Sequence, residues 1–179
     1  RMIGGIIMVH GDDQGLVLPP RLAPIQVVIV PIWKSEEERT AVLGASQAVR
    51  AELSDAGVRV RLDDREQFSP GFKFNDWEMR GVPLRIEIGP KDVAKDQVVL
   101  ARRDIPGREG KQFVARGGLA AQVTATLQAI QEALLARAIA FRDANTHRAE
   151  NYAQFREILE THGGFLRVHW AGSSEDEDR

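Results

Sequence analysis

The hydrophobic and polar positions of this chain follow two rhythms. Residues 25–32 are almost continuously apolar and β-branched, which predicts a central strand covered on both faces. Ser35 then stands three residues before Glu38, a capping-box signature. Val42, Ala45, Val49, Leu53 and Ala56 follow at helical spacing, and Gly57 supplies the stop. A short strand over 58–62 completes a βαβ unit, hence a parallel pair joined by a right-handed crossover.

A polar loop is expected over 63–70, then a short amphipathic segment to Arg80, broken by Gly81-Val82-Pro83. Over 84–88 the apolar Leu84, Ile86 and Ile88 alternate with Arg85 and Glu87. This predicts a half-exposed strand whose charged face is free for function. Residues 97–102 and 111–115 read as a hairpin around the Gly107 and Gly110 turns. Leu119, Val123, Leu127, Ile130, Leu134 and Phe141 form one stripe of a long helix. A second helix is expected over 149–161 and a last strand over 165–170. The predicted fold class is α/β, with a mixed, mostly parallel sheet flanked by helices and a truncated α+β C-terminal domain.

The two ends read differently. The apolar run over 2–9 has no polar lead-in and is expected to be a buried strand or helix. The tail over 173–179 is acidic, with no closing element, so an internal fragment of a larger protein is expected. Gly11 to Gly15 spells a turn, and Pro19-Pro20 with Pro24 a stiff extended connector, the expected domain boundary.

Composition narrows the function classes. With 179 residues, 43% hydrophobic and 28% charged, the chain suits one or two soluble domains. No apolar run reaches the roughly 20 residues of a membrane-spanning helix, and no secretion signal is visible. The absence of Cys excludes disulfides and thiolate metal sites within these residues, and a cytoplasmic location is the simplest expectation. A net charge of −2 means that any RNA-binding surface must be a local patch. His162 and His169 do not meet zinc spacing, so no metal site is expected. Asp12-Asp13 suits magnesium or turn chemistry, and turn chemistry is the expectation. Gly4-Gly5 lacks the phosphate-loop pattern.

The middle of the chain is more specific. It reads Ser69-Pro70-Gly71-Phe72-Lys73-Phe74-Asn75-Asp76-Trp77-Glu78, then Gly81-Val82-Pro83-Leu84-Arg85-Ile86-Glu87-Ile88-Gly89-Pro90-Lys91-Asp92. These strings resemble the anticodon-binding domain of prolyl-tRNA synthetases, a class II aminoacyl-tRNA synthetase family. Residues 1–20 resemble that family's catalytic motif 3 and its exit, and residues 23–32 its first anticodon-domain strand. The resemblance implies the end of a class II catalytic domain over 1–22, an anticodon-binding domain over 23–135 and the start of a C-terminal domain over 136–179. It implies that Phe74, Glu78, Arg85, Lys91 and Asp92 read the anticodon, and that Arg1 contacts ATP phosphates. It further implies that the full-length enzyme activates proline with ATP and Mg2+, transfers it to tRNA(Pro), and dimerises through catalytic motifs absent here, whereas the fragment alone carries no activity. That family often has a cysteine-rich zinc site opening near Trp-Cys-Gly; here the chain reads Trp170-Ala171-Gly172.

Elementary chemistry agrees with those five positions. Proline anticodons carry two guanines. The Watson–Crick edge of guanine offers donors that a carboxylate accepts, and O6 and N7 accept from a guanidinium. Unpaired bases stack on aromatic rings. If the segment around Phe74 is helical, Phe74 and Glu78 share a face. Two other readings remain open at this point: a non-catalytic synthetase-like RNA-binding module, and a Rossmann-like small-molecule enzyme. The lack of a Gly-rich loop after Ile32 counts against the latter.

Overall fold

The computed structural model describes residues 1–169 and Gly172. The chain opens with α1 (Met2–His10), then a small hairpin of β1 (Gly11–Asp12) and β2 (Gly15–Leu16). α1 is helical, but Met2, Ile3, Met8 and Val9 are exposed and none of its residues is buried, against the expectation from their apolar character. Of its apolar side chains only Ile6 is partly covered within the described chain. The hairpin, in contrast, is firmly seated. Gly15 has φ +132°, and a Cβ there would lie 2.4 Å from the Cα of Met79; at Gly81 one would lie 2.6 Å from Leu16. Only glycine allows this approach of two backbones. The proline connector is not extended: Leu22 and Ala23 both donate their N–H groups to the carbonyl of Pro19, closing a turn.

β3 (Val27–Pro31) is buried throughout, because it is paired on both sides and covered on both faces. α2 (Glu36–Asp55) follows. Ser35 Oγ caps the N–H of Glu38, while Glu38 Oε2 accepts from Lys34 N–H rather than from Ser35, a capping box shifted by one residue. Val42, Ser46, Val49 and Leu53 form its buried stripe, and Ala56 lies outside it. β4 (Val60–Leu62) pairs parallel with β3, as the βαβ reading expects. Asp63 opens the loop as a buried residue, not a solvated one. α3 (Pro70–Met79) leads through Gly81 to β5 (Leu84–Ile88), parallel to β3. α4 (Pro90–Ala94), β6 (Gln97–Arg102) and β7 (Lys111–Ala115) complete the order β4-β3-β5-β6-β7, antiparallel across β5-β6-β7. The expected mixed sheet flanked by helices is present, with parallel and antiparallel pairings equal in number.

The core sits on one face, where α2 and α5 (Leu119–Ala144) cover Val27, Ile29, Leu84, Ile86, Leu100 and Val114. The opposite face carries α3, with Trp77 packed on Val28, Val30 and Val82. Leu119, Val123, Leu127, Ile130 and Leu134 are buried as their spacing predicts, but Phe141 is exposed, because the buried stripe ends at Leu134. By contacts the chain forms two units, Arg1–Leu134 and a second from Leu135 onward. Within the second, β8 (Thr146–Arg148) pairs parallel with β9 (Phe165–Arg167) around α6 (Tyr152–Thr161). The predicted helix over 149–161 therefore starts later, at an Asn151 cap, and β8 carried too few residues to show a period. Trp170 and Ala171 lie outside the described residues. Among the described residues no helix is long and apolar enough to cross a membrane.

Candidate nucleic-acid interface

Helix α3 is held on the sheet by a clamp at the carboxyl end of β4. Trp77 Nε1 donates to Asp63 Oδ2 at 2.7 Å. Arg65 grips the same carboxylate with Nε and Nη2, both at 2.8 Å, and reaches Asp76 Oδ2 at 2.8 Å. Lys73 Nζ donates to the Asp63 carbonyl at 3.2 Å. Burial pushes the Asp63 carboxyl up, but the hydrogen bonds from Arg65 and Trp77 outweigh it and hold it down to about 2. A buried carboxylate tied this way stays charged and fixes what it touches. Here it fixes the rotation of α3. Lys73 and Trp77 turn inward, and Phe74 and Glu78 face β5.

The strand register supplies the opposite wall. Val28 is aligned with Arg85, Val30 with Glu87, and across β6 Ala101 with Lys111. The α3 face of the sheet thus passes from apolar under Trp77 to charged beyond it. Arg85 lies over the Phe74 ring, its guanidinium carbon 4.0 Å from the centroid. Its Nη1 donates to Glu78 Oε1 at 2.7 Å, and its Nε to Glu87 Oε1 at 3.1 Å. Lys111 Nζ meets Glu87 at 2.8 Å and stands 5.7 Å from the Phe74 ring. The charged face of β5 is therefore not half-exposed as alternation predicts. Glu87 is buried, because α3 and Lys111 close over it with neutralising charge.

The group is not sealed. The Arg85 side chain is 11% exposed and that of Glu78 is 29% exposed. Both line a cleft of about 470 Å³ with Gln14, Asn75, Met79, Ala101, Arg102, Arg103, Pro106 and Gly107. At its floor Arg103 Nη2 donates to Asp12 Oδ1 at 2.6 Å, tying the β1–β2 hairpin to the sheet. That bond, above all, holds the Asp12 carboxyl below its ordinary value. Asp12 also accepts from Gln14 N–H at 2.9 Å, the expected turn chemistry. The cleft thus offers a carboxylate and several guanidinium groups, with Phe74 beneath Arg85 rather than on its wall; such a set suits an unpaired base with donors and acceptors on its edge.

Of the residues singled out in the sequence, the structure brings Phe74, Glu78 and Arg85 together. Lys91 is exposed on α4, with no hydrogen bond or ion pair among the described residues, and Asp92 is half-buried beside it. Its Oδ2 accepts from Gly89 N–H at 3.0 Å and its Oδ1 from Gln97 Nε2 at 3.1 Å, capping α4 and bracing β6. These bonds tie Asp92 to its own helix and strand rather than to the Phe74 group. Arg1 is exposed at the N-cap of α1. Sequence reasoning passed over Asp63, Lys111, Asp12 and Arg103 as site residues. Asp63 and Asp12 look like loop and turn residues, and Lys111 enters through a cross-strand register 24 residues from Glu87. Among the described residues no three His, Asp or Glu side chains gather as metal ligands.

Comparisons with known proteins point the same way. Residues 26–134 match the family described as "Anticodon binding domain". The chain is 54% identical over its full length to the "Proline--tRNA ligase" of Chloroflexus aurantiacus, of which it covers 37%. It is 52% identical to that of Roseiflexus castenholzii, again covering 37%. It is also 52% identical to the "Proline--tRNA ligase, chloroplastic/mitochondrial" of Arabidopsis thaliana, covering 33%. The chain therefore spans about a third of the length of these curated relatives.

Proposed function

The chain belongs to the anticodon-binding domain family, and from that membership we propose that it is the anticodon-reading part of a proline–tRNA ligase. The parent joins proline to tRNA(Pro) in two steps, first forming prolyl-adenylate and pyrophosphate from ATP and proline, then moving the acyl group to the tRNA 3′ end. In this reading residues 1–22 close the catalytic domain, with Arg1 toward the ATP phosphates. Residues 23–135 read the anticodon and residues 136–179 begin a further domain. The parent works in the cytoplasm as a homodimer through its catalytic part, with Mg2+ accompanying ATP.

The observation that carries the reading is the Glu78–Arg85 pair, seated on Phe74 at the mouth of an open cleft. Glu78 Oε1 is taken by Arg85, and Oε2 has no hydrogen bond among the described residues. That oxygen faces guanine N1–H and N2–H₂, while the remaining guanidinium N–H groups face O6 or N7. Phe74, half-buried and carrying Arg85 on its ring, supplies the part of its stacking surface that the guanidinium leaves open. Lys91, exposed beyond the end of β5, contacts the phosphate of the same nucleotides, and Asp92 keeps α4 and its lysine in place.

The test is discrimination. Glu78→Ala should cost the parent about 1–3 kcal/mol of selectivity for one anticodon guanine. Wild-type charging or binding that is equal for RNA with and without that guanine would reject the assignment in favour of a synthetase-like RNA-binding module.

A further inference from the structure

A second cleft, of about 370 Å³, lies at the N-terminal turn of α3, whereas Glu78 stands in its last turn; it is lined by Pro31, Trp33, Glu66, Phe68, Ser69 and Lys73 among others. Its size falls within the roughly 300–1,000 Å³ of small-ligand sites. It opens at the carboxyl end of β3, the strand at which the sheet order reverses, with β4 on one side and β5 on the other. Crevices at that point are where open α/β sheets bind ligands.

The lining is built for more than packing. Lys73 is only 3% exposed, yet of its three N–H donors one has an acceptor among the described residues, the Asp63 carbonyl at 3.2 Å. Its Nζ stands 5.8 Å from the Trp33 ring centroid. Burial pulls its pKa down, against the pull of the Asp63 carboxylate. A buried ammonium with unspent donors gains from any oxygen acceptor that enters. Trp33 is half-buried and presents an aromatic ring to the cleft, and Phe68, half-buried on the facing loop, lies stacked on Phe72 with ring centroids 4.4 Å apart. Glu66 is held at the rim by Arg39, which also binds Glu36. Donor, acceptor and ring face thus stand around one opening, the same three parts as at Glu78, Arg85 and Phe74.

We propose that the Trp33–Lys73 cleft is a second base-binding site, which takes one unpaired nucleotide of the RNA held at Glu78 and Arg85. The base lies on Trp33, its carbonyl oxygen accepts from Lys73 Nζ, and its N–H donors face Glu66. The two clefts flank the same helix, so a strand passing over α3 reaches both. This site rests on the proposed RNA-binding function, and its test separates the two.

The full chain is titrated against a labelled stem-loop RNA with the proline anticodon in its unpaired loop, and against versions made abasic at each other loop position in turn. With wild-type protein one abasic position outside the guanines should weaken binding about tenfold, the loss expected of one stacked base. Trp33→Leu should weaken binding of the intact RNA equally and become indifferent to that abasic position. Trp33→Phe should restore most of the affinity. Lys73→Met should weaken binding of the intact RNA and lose most of the difference between the native and the abasic nucleotide at that position. Should that variant fail to fold, the abasic series on the wild-type protein still decides. A folded Trp33→Leu protein that binds as wild type, or an abasic series with no sensitive position, would overturn the site. Indifference to replacement of the anticodon guanines would instead overturn the Glu78–Arg85 reading, whatever Trp33 does.

Discussion

Replacing Asp63 by asparagine removes the charge from the clamp that orients α3 while keeping its shape. The amide oxygen still accepts from Trp77 Nε1, but Arg65 loses the carboxylate it grips with two nitrogens. The carboxyl titrates at about 2 in the folded chain against 3.8 for the ordinary group. A tenfold change in proton affinity corresponds to about 1.4 kcal/mol, so ionised Asp63 contributes about 2 kcal/mol of stability. The sign follows from the direction. A folded-state value below the unfolded one gives stability that is fully present above the ordinary carboxylate range and is lost as pH falls through about 4 to about 2. Arg65 and Lys73 stay charged across that window. Asp64, Asp76 and Glu66, the neighbouring acids, are unchanged in the variant and so cancel in the comparison. Urea unfolding of wild type and Asp63→Asn, followed by tryptophan fluorescence at pH 7, 5, 4 and 3, should show a gap of about 2 kcal/mol that narrows only below pH 5. A gap that stays constant down to pH 3 would refute the ionic account of the clamp. Because the clamp sets the rotation of α3, the variant should also bind RNA less selectively at neutral pH.

Other outcomes follow from single contacts. Arg85→Lys should lower affinity for the anticodon stem-loop and stability together, since an ammonium cannot bridge Glu78 and Glu87 while lying flat on Phe74; equal titration curves would count against it. Phe74→Ala should weaken RNA binding by about 1–3 kcal/mol with little change in base preference, read by titration against guanine-replaced loops. Asp92→Ala should cost about 1 kcal/mol in urea unfolding through the lost cap of α4, and an unchanged midpoint would remove that role. Gly15→Ala should detach the hairpin from α3, at a cost of about 1–3 kcal/mol for a residue forced at φ +132° against Met79, visible as protease sensitivity near residue 13.

The fold was legible where one element's pattern decides its burial. The continuous apolar run of β3, the stripe of α2, and Leu119 through Leu134 of α5 each state their own environment, and the hairpin of β6 and β7 follows from its turns. Reading failed where burial depends on a distant partner. Residues 2–9 are apolar enough for a core, yet none of them is buried in the described chain and only Ile6 is partly covered. Asp63 reads as a loop residue, and only Arg65, Lys73 and Trp77 together make it a buried one. Glu87 reads as solvent-facing because Lys111, which neutralises it, arrives through strand pairing that no local pattern encodes. The same limit applies at the site. The family strings pointed to Phe74, Glu78 and Arg85 as anticodon readers, and the sequence leaves open whether Arg85 pairs with Glu78 or Glu87; that it binds both at once while lying over Phe74 is a tertiary fact.

That ion pair also bears on how a guanine would be read. A carboxylate and a guanidinium already joined at 2.7 Å must not be pulled apart by the base, since separating a partly buried pair costs more than one new hydrogen bond returns. The arrangement avoids that cost. Arg85 spends one Nη1 donor on Glu78 and is held from the other side by Glu87, itself neutralised by Lys111. The guanidinium cannot swing, and the second oxygen of Glu78 stays available at a fixed angle. In the proposed reading a guanine would add to the pair rather than compete with it, and recognition would need no rearrangement of α3 or β5. It follows that Lys111→Met, although its side chain lies behind Glu87, should loosen Arg85 and erode guanine discrimination more than it erodes affinity for RNA stripped of guanine. Equal losses for both RNAs would show that Lys111 acts only as a charge toward phosphate, and that the rigidity of the pair is not what selects the base.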